Sequence, residues 1–351
     1  MIFFSMEDEL VKVDDKNENA KTVLKGLQPV SLAYDPHDIN RLYCGTFGRG
    51  LWRSIDAGEN WEPIAAPHAM GPVNDTVIPY PNIMSLTVST KKSKQGYGVV
   101  YAGTEPSAIF CSEDGGDTWQ EFEGIQNLPS KPLWSFPPRP HTSHVRWLGI
   151  HPIDTDQLFA AIEFGAFLRS FDGGEYWEDR KFNGPLDTHT FALHAKASGR
   201  IYAAAGDGFI QSGRGYAESR DSGTTWTYPN EGLSHQYLYT LAVDSENPNI
   251  ILVGASDSPR QAHAPSQACA TIYRKEGGQP WEEVKEGLPS SEGTLVSTLE
   301  AHPFRSGIFF ALNNKGLFRS DDTGITWSSL NIPWKEKFER QHPHALVIVP
   351  S

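Results

Sequence analysis

The sequence is poor in three features that would narrow its function at once: cysteine pairs, long apolar stretches and positive charge. Its three cysteines stand far apart without a CxxC pair, so neither a disulfide framework nor a thiolate metal site is indicated. The opening MIFFSMEDEL lacks the basic segment and long apolar run of a signal peptide or membrane span. A net charge of −13 argues against a nucleic-acid partner. We therefore expect a cytoplasmic protein that binds neither membranes nor nucleic acids.

Long helical periodicity is also absent, because no stretch repeats apolar residues every 3.6 positions over several turns. Glycine (32) and proline (25) are instead plentiful, and tryptophan occurs ten times. This composition is typical of short strands joined by many turns. The sequence is therefore expected to fold as an all-β protein, a class in which 351 residues can form a single domain.

One motif of the form Ser-x-Asp-x-Gly-x-x-Trp recurs along the chain. Its five copies are SIDAGENW (54–61), SEDGGDTW (112–119), SFDGGEYW (170–177), SRDSGTTW (219–226) and SDDTGITW (320–327), with a degenerate sixth, YRKEGGQPW, at 273–281. The aspartate is expected to accept bonds from backbone N–H groups one or two residues further on. Glycine supplies a positive φ, and the tryptophan packs where the next strand starts. The motif therefore predicts a structural turn, and its carboxylates are not read as catalytic pairs.

These residues resemble the Asp-box, or BNR, repeat of sialidases, sortilin-type receptors, photosystem II assembly factors and xyloglucan-degrading glycosidases. Over its full length the chain is similar to bacterial BNR-repeat, glycosidase-like proteins. The resemblance implies a β-propeller in which each box joins the third and fourth strands of a blade.

The number of blades follows from segments that read as the innermost strand of each. There are seven: 30–36, 83–89, 146–152, 190–196, 239–245, 297–303 and 344–350. The last reaches the end of the sequence, so its partners are sought at the other end, in MIFFS, ELVKV and AKTVLKG. We predict a single seven-bladed propeller domain over residues 1–351, with four antiparallel strands per blade. Residues 1–27 and 344–351 form the closing blade, which removes an exposed edge.

Histidines stand just before several innermost strands, where a propeller would bring their side chains to the mouth of its central channel. Loops expected on the same face carry acids. Imidazoles among carboxylates can bind Zn, Fe, Mn or Cu. The predicted metal ligands are His144, His189, His235, His342 and His344. The predicted catalytic residues, which include the general base, are Glu163, Asp187 and Asp207. A metal-free ligand site and a purely structural role remain open as alternatives.

Further residues on the same predicted face are suited to holding a ligand. Several lie in the proline-rich connector NLPSKPLWSFPPRPHTSH and in the excursion SDSPRQAHAPSQACA, since long loops in a compact ring are usually functional. The predicted substrate-binding residues are Arg49, Glu105, Trp134, Arg139, Arg146, Asp257, Arg260 and His263.

Three functions are weighed on these grounds. The leading interpretation is an enzyme or binder for a small-molecule ligand, with a site of histidines and carboxylates. This site either requires a metal ion or acts without one. The first alternative is a non-catalytic scaffold that binds a protein partner or peptide, as assembly factors with this repeat do. The second is a glycoside hydrolase that uses paired carboxylates. Sialidase activity is disfavoured, because the sequence lacks the Arg-Ile-Pro element and the arginine motif of those enzymes.

Overall fold

A computed structural model of the chain describes residues 1–14, 19–65 and 77–350. Within these ranges the strands form seven antiparallel sheets that follow one another along the chain, and the protein is the predicted seven-bladed β-propeller. The helices of the described ranges are short: α1 (Asp207–Ile210), α2 (Pro259–His263) and 3-10 turns at Glu123–Asn127, Lys131–Leu133, Pro265–Gln267 and Glu336–Arg340. None of them has the length and apolar character needed to cross a membrane.

The strands of each sheet are consecutive in the chain, apart from the last strand. The first sheet contains β1 (Ile2–Ser5), β2 (Glu9–Asp14) and β3 (Asn19–Lys25). The second contains β4 (Pro29–Asp35), β5 (Asp38–Thr46), β6 (Leu51–Ser54) and β7 (Glu62–Ala65), and the third β8 (Asn82–Lys92), β9 (Gly98–Glu105), β10 (Ile109–Ser112) and β11 (Gln120–Glu121). The fourth contains β12 (Val145–Ile150), β13 (Leu158–Ile162) and β14 (Ala166–Ser170), and the fifth β15 (Thr188–Leu193), β16 (Ile201–Ala205) and β17 (Tyr216–Ser219).

The remaining two sheets complete the set. The sixth contains β18 (Tyr237–Val243), β19 (Ile250–Ser256), β20 (Ala270–Glu276) and β21 (Glu282–Val284). The seventh contains β22 (Thr298–Ala301), β23 (Phe309–Asn313), β24 (Gly316–Ser320) and β25 (Ser328–Ser329), and the last strand, β26 (Ala345–Ile348), returns to the first sheet.

The two ends of the chain share one blade, as the sequence predicts. Strand β26 pairs antiparallel with β1, with Ile2 opposite Ile348 and Ser5 opposite Ala345, in a sheet of order β26-β1-β2-β3. Phe3 in β1 is fully buried. Pairing with β26 removes the open edge that β1 would otherwise present.

Two blades depart from the prediction of four strands. The fourth and fifth sheets have three strands each, and in place of a fourth strand each has one isolated bridge, Arg169 to Glu178 and Glu218 to Thr227. Beyond the first bridge, Asp179 accepts bonds from the Ser130 backbone and hydroxyl, which draws the chain away. Beyond the second comes Pro229, which has no N–H to continue a ladder.

The aspartates of the Asp-box turns accept bonds from residues further along the chain than predicted. In the first box the Asp56 carboxylate accepts bonds from Glu59 N (3.1 Å) and Asn60 N (2.9 Å), three and four residues on and not one or two. Ser54 Oγ donates to Asp56 and accepts from Gly58 N (2.8 Å). Gly58 has φ +81°, as expected. The side chain bonds so far along the chain because Ala57 and Gly58, both with positive φ, turn the backbone back toward Asp56.

By backbone contacts the chain divides into two compact units. Unit one comprises Met1–Glu7, Lys12–Lys21 and Lys181–Ser351, and unit two comprises Asp8–Val11 and Thr22–Arg180. The prediction of one domain over 1–351 stays a prediction.

Within each unit, a repeated hydroxyl joins the first strand of one blade to the first strand of the next. Its oxygen donates to a backbone carbonyl: Ser31 to Ile83 (3.2 Å), Ser85 to Val145 (2.7 Å), Thr190 to Tyr239 (2.9 Å) and Thr240 to Ser297 (2.5 Å). Beside three of these four hydroxyls a glycine on the second strand makes room; a Cβ at Gly45, for example, would lie 2.2 Å from Ser31 Oγ. The sequence motifs give no sign of this repeated bond, which holds the first strands of neighbouring blades together.

Candidate functional site

In unit one, His189 lies buried on β15, and its orientation is fixed by the next blade. Its Nδ1 lies 2.7 Å from the carbonyl oxygen of Leu238, so Nδ1 carries the proton and donates it there. Its Nε2 faces Asp187 Oδ1 at 3.6 Å and Tyr237 Oη at 3.5 Å. The predicted ligand His189 and the predicted catalytic Asp187 are therefore brought together.

Asp207 opens α1 and holds the backbone next to this histidine. Its Oδ2 accepts the N–H of Asp187 (2.8 Å) and of Leu186 (3.1 Å), while Oδ1 shares only the Leu186 N–H, at 3.1 Å. Burial raises the pKa of Asp207, although the backbone donors oppose that shift. The carboxylate of one predicted catalytic aspartate of unit one thus holds the backbone of the other.

A hydrogen-bonded chain of tyrosine and histidine continues from Tyr237. Its Oη lies 3.0 Å from His263 Nε2, and His263 Nδ1 lies 2.7 Å from His342 Nε2. His342 is 8% exposed, and His263 is half-buried at the end of α2. His263, which the sequence suggested as a substrate contact, therefore pairs directly with a predicted metal ligand.

Tyr239 lies among the same imidazoles, because side chains two apart on a strand point the same way. Its ring centroid is 4.4 Å from that of His263, 4.9 Å from that of His189 and 5.6 Å from that of His342. We name these five residues the His–Tyr cluster: His189, Tyr237, Tyr239, His263 and His342. The predicted ligand His344 lies beside it, with its ring 5.4 Å from that of His342.

His235, another predicted ligand, contacts a different pair of side chains. Its Nδ1 lies 2.7 Å from Tyr273 Oη, and its Nε2 lies 4.0 Å from Asp257. The Asp257 side chain is 62% exposed. His235 is therefore hydrogen-bonded to Tyr273, which is not one of the residues of the His–Tyr cluster.

In unit two, the fifth predicted ligand, His144, lies in a buried network of charges. Its Nε2 is 2.7 Å from Glu163 Oε2, and its Nδ1 is 3.6 Å from Glu105 Oε2. Arg139 forms a bidentate pair with Glu105, at 2.8 and 2.6 Å. The two ring nitrogens of His144 thus face two different carboxylates.

The other predicted substrate contacts are dispersed. Trp134 is 7% exposed, packs in a hydrophobic core and donates its indole N–H to Ser130 Oγ at 2.8 Å. Arg146 Nε lies 3.5 Å from Glu163. Arg49 and Arg260 have exposed side chains. Their roles in ligand binding stay predictions.

Sequence reasoning missed one acid, Glu300 on β22. It is half-buried, and none of the residues that the structure describes forms a hydrogen bond or ion pair with its side chain. Burial raises its pKa to about 8, so the carboxyl is largely protonated at neutral pH. A lone acid within the apolar segment VSTLEAHP was the available signal.

No family model matches this sequence. An oligoxyloglucan-reducing end-specific xyloglucanase from Emericella nidulans is 23% identical, over 93% of this chain and 41% of its own length. A GH74 enzyme from Niastella koreensis superposes with a TM-score of 0.67 at 17% identity, over 92% of this chain and 51% of that one. The chain thus spans about half the length, or less, of these two proteins.

YCF48 bound to D1 peptide superposes with a TM-score of 0.55 at 17% identity, covering 88% of this chain and 85% of its own. A protein of similar size therefore has the same arrangement of strands. At these identities the structural likenesses speak for the fold alone. Together with the seven sheets, they identify this chain as a seven-bladed β-propeller whose blades carry the repeated turn first seen at 54–61.

Proposed function

We propose that this chain binds an oligosaccharide and hydrolyses a glycosidic bond. The observation that carries the proposal is that the Asp207 carboxyl, whose pKa is raised by burial, accepts the backbone N–H of Asp187 at 2.8 Å and so lies next to a second acidic residue. Glycoside hydrolases use two carboxyl groups, one protonated and one ionised. The name of the Emericella nidulans relative supports the same class of reaction. Of the functions weighed from the sequence, the glycosidase therefore takes precedence over the metal-dependent enzyme.

Asp207 is the general acid in this proposal. Burial raises its pKa, which favours the protonated form that donates to a leaving-group oxygen. Because Oδ2 accepts both N–H groups at close range, Oδ1 is the oxygen suited to carry the proton. The backbone of Leu186 and Asp187 holds this carboxyl in place.

Asp187 is the ionised partner, which attacks the anomeric carbon or activates a water molecule. Its side chain is 14% exposed, so it is open to a substrate without being fully solvated. His189, 3.6 Å away, is oriented by the Leu238 carbonyl and stabilises the negative charge of Asp187 when protonated.

Aromatic side chains near these acids suit the apolar faces of sugar rings. Phe209 follows Asp207 by two residues on α1 and is 54% exposed. Tyr239 of the His–Tyr cluster is half-buried, with its ring 4.9 Å from that of His189. Rigid aromatic faces of this kind provide contact area at little cost in conformational entropy.

The test is hydrolysis of xyloglucan oligosaccharides, with products separated by chromatography. We expect Asp187→Asn and Asp207→Asn each to lower the rate by about 10²- to 10⁴-fold, the contribution of a positioned acid or base. Asp321→Asn is the control, because Asp321 is an exposed acid paired only with the neighbouring Arg319 in the described part of the chain.

Two results would overturn the proposal. One is the absence of cleavage of any xyloglucan oligosaccharide by the wild-type chain. The other is a rate that is unchanged in both aspartate variants, provided that circular dichroism shows them folded.

Phe209→Ala should raise KM more than it lowers kcat, since it removes binding area without touching either carboxyl.

A further inference from the structure

We propose that His263 and His342 bind one divalent transition-metal ion through His263 Nδ1 and His342 Nε2. These two nitrogens face each other at 2.7 Å across 79 residues of sequence. Two neutral imidazoles can approach this closely only with one proton shared between them. A metal ion that replaces this proton makes both nitrogens ligands.

The geometry requires a small movement. Metal–nitrogen bonds of about 2.0–2.1 Å in a tetrahedral site separate the two nitrogens by roughly 3.3 Å. The imidazoles must therefore open by about 0.6 Å relative to their present distance. His263 can supply this movement because it is half-buried and ends the five-residue helix α2.

The surroundings already orient the His263 ring for ligation and hold the backbone of His342. Tyr237 Oη lies 3.0 Å from His263 Nε2, so a His263 that binds metal through Nδ1 donates its remaining proton to this tyrosine. Metal-binding histidines are held by such outer hydrogen bonds. The backbone N–H of His342 donates to Glu7 Oε1 at 3.3 Å, which fixes the chain that carries the second ligand.

The chemistry of the ligands selects the metal. Two neutral imidazoles favour Cu²⁺ over the other divalent ions of the first row, also suit Zn²⁺, and disfavour Mg²⁺ and Ca²⁺. The remaining coordination positions are completed by water or by an exogenous ligand, since His263 is open to solvent on one side. This pair differs from the sequence-based set, because it includes His263 and needs neither His144 nor His235.

The test uses the full chain purified without a histidine tag. Cu²⁺ is titrated and followed by electron paramagnetic resonance, and Zn²⁺ by calorimetry. We expect about one ion per chain and a copper signal split by two imidazole nitrogens. His263→Ala and His342→Ala should each weaken binding at least about tenfold, and Tyr237→Phe roughly tenfold, as outer-shell changes commonly do.

His235→Ala is the matched control, since that histidine is also half-buried and bonded to a tyrosine hydroxyl. It should bind Cu²⁺ like the wild type. Fewer than about 0.2 ions per chain, or equal affinity in all three alanine variants, would overturn the proposal. Should an alanine variant unfold, His263→Gln and His342→Gln give the same comparison with side-chain volume preserved. Metal binding is measured without substrate, so it succeeds or fails independently of glycoside hydrolysis.

Discussion

His144 Nε2 lies 2.7 Å from Glu163 Oε2 while its Nδ1 lies 3.6 Å from Glu105, so one buried imidazole separates two carboxylates. His144 is 2% exposed, and the side chain of Glu105 is 5% exposed. Two carboxylates in so little water repel each other unless a positive or polar group lies between them. We therefore expect His144 to stabilise the fold of unit two by separating these two carboxylates.

We predict that His144→Leu lowers the free energy of unfolding by about 2–4 kcal/mol, because it leaves the Glu163 carboxylate without its closest partner. Urea denaturation followed by tryptophan fluorescence measures the change. The double variant His144→Leu, Glu163→Leu should recover part of the loss. A change below about 0.5 kcal/mol in the single variant would contradict this reading.

Gly287 is expected to be one of the least replaceable positions in unit one. It has φ +78°, and an added Cβ would lie 1.7 Å from the carbonyl oxygen of Trp327, whose N–H donates to Glu286. Gly287→Ala should cost about 2–4 kcal/mol, since both the backbone angle and the contact oppose it.

Gly277→Ala is the control for this position. Gly277 also has a positive φ, of 57°, but no atom lies within 4 Å of an added Cβ. Its substitution should cost only about 1–2 kcal/mol, the penalty of the left-handed conformation alone. Thermal unfolding of the two variants measures the difference, and equal costs would show that the Trp327 contact does not matter.

The Asp boxes predict a specific loss of stability in acid. Hydrogen bonds from the Asn60 backbone, the Asn60 side chain and Ser54 lower the pKa of Asp56 to about 2. Because the pKa is lower in the folded state, the stabilisation is present above the unfolded pKa, about 3.9, and is lost as the pH falls toward 2. Urea midpoints should therefore fall more steeply between pH 4 and pH 2 in the wild type than in Asp56→Ala. Parallel slopes would be inconsistent with this role.

For Glu300 we expect stability to depend on pH in the opposite way, falling as the pH rises. Burial raises its pKa to about 8, so the unfolded state releases the proton first and stability falls as the pH rises from about 4.5 to 8. Glu300→Gln should remove this loss and gain on the order of 2–4 kcal/mol over the wild type between pH 5 and pH 8. Chemical denaturation of both proteins at pH 5 and at pH 8 measures this difference in the free energy of unfolding. A constant difference between the two proteins would show that Glu300 does not titrate in this range.

The sequence predicted the fold well because the Asp box is a local structure. Ser54, Asp56 and Gly58 satisfy one another within five residues, so their spacing alone specifies the turn. The closing blade was predictable as well, since only the N-terminal strands could pair with the final one. The reach of the aspartate bonds was wrong, because a letter pattern does not show how far a turn curls.

The candidate site was predicted only in its residue types. Position before an innermost strand selected all five histidines alike, but their surroundings differ. His342 lies against His263, whereas His144 lies against carboxylates and His235 against a tyrosine. Their role as metal ligands stays a prediction. The only sequence signal for Glu300 was its place as a lone acid in VSTLEAHP, and a sequence does not report how much water a carboxyl retains.

The sequence by itself therefore determined the seven-fold repeat, its turns and the joining of its ends. The turns depend on side chains that bond to nearby backbone. The number of blades and the closing blade follow from the order of the strands along the chain. Only the tertiary structure decided which groups meet. His263 and His342 come from connectors 79 residues apart, and their ring nitrogens meet at 2.7 Å. The distance between two such side chains is set by packing between blades, which no spacing in the sequence encodes.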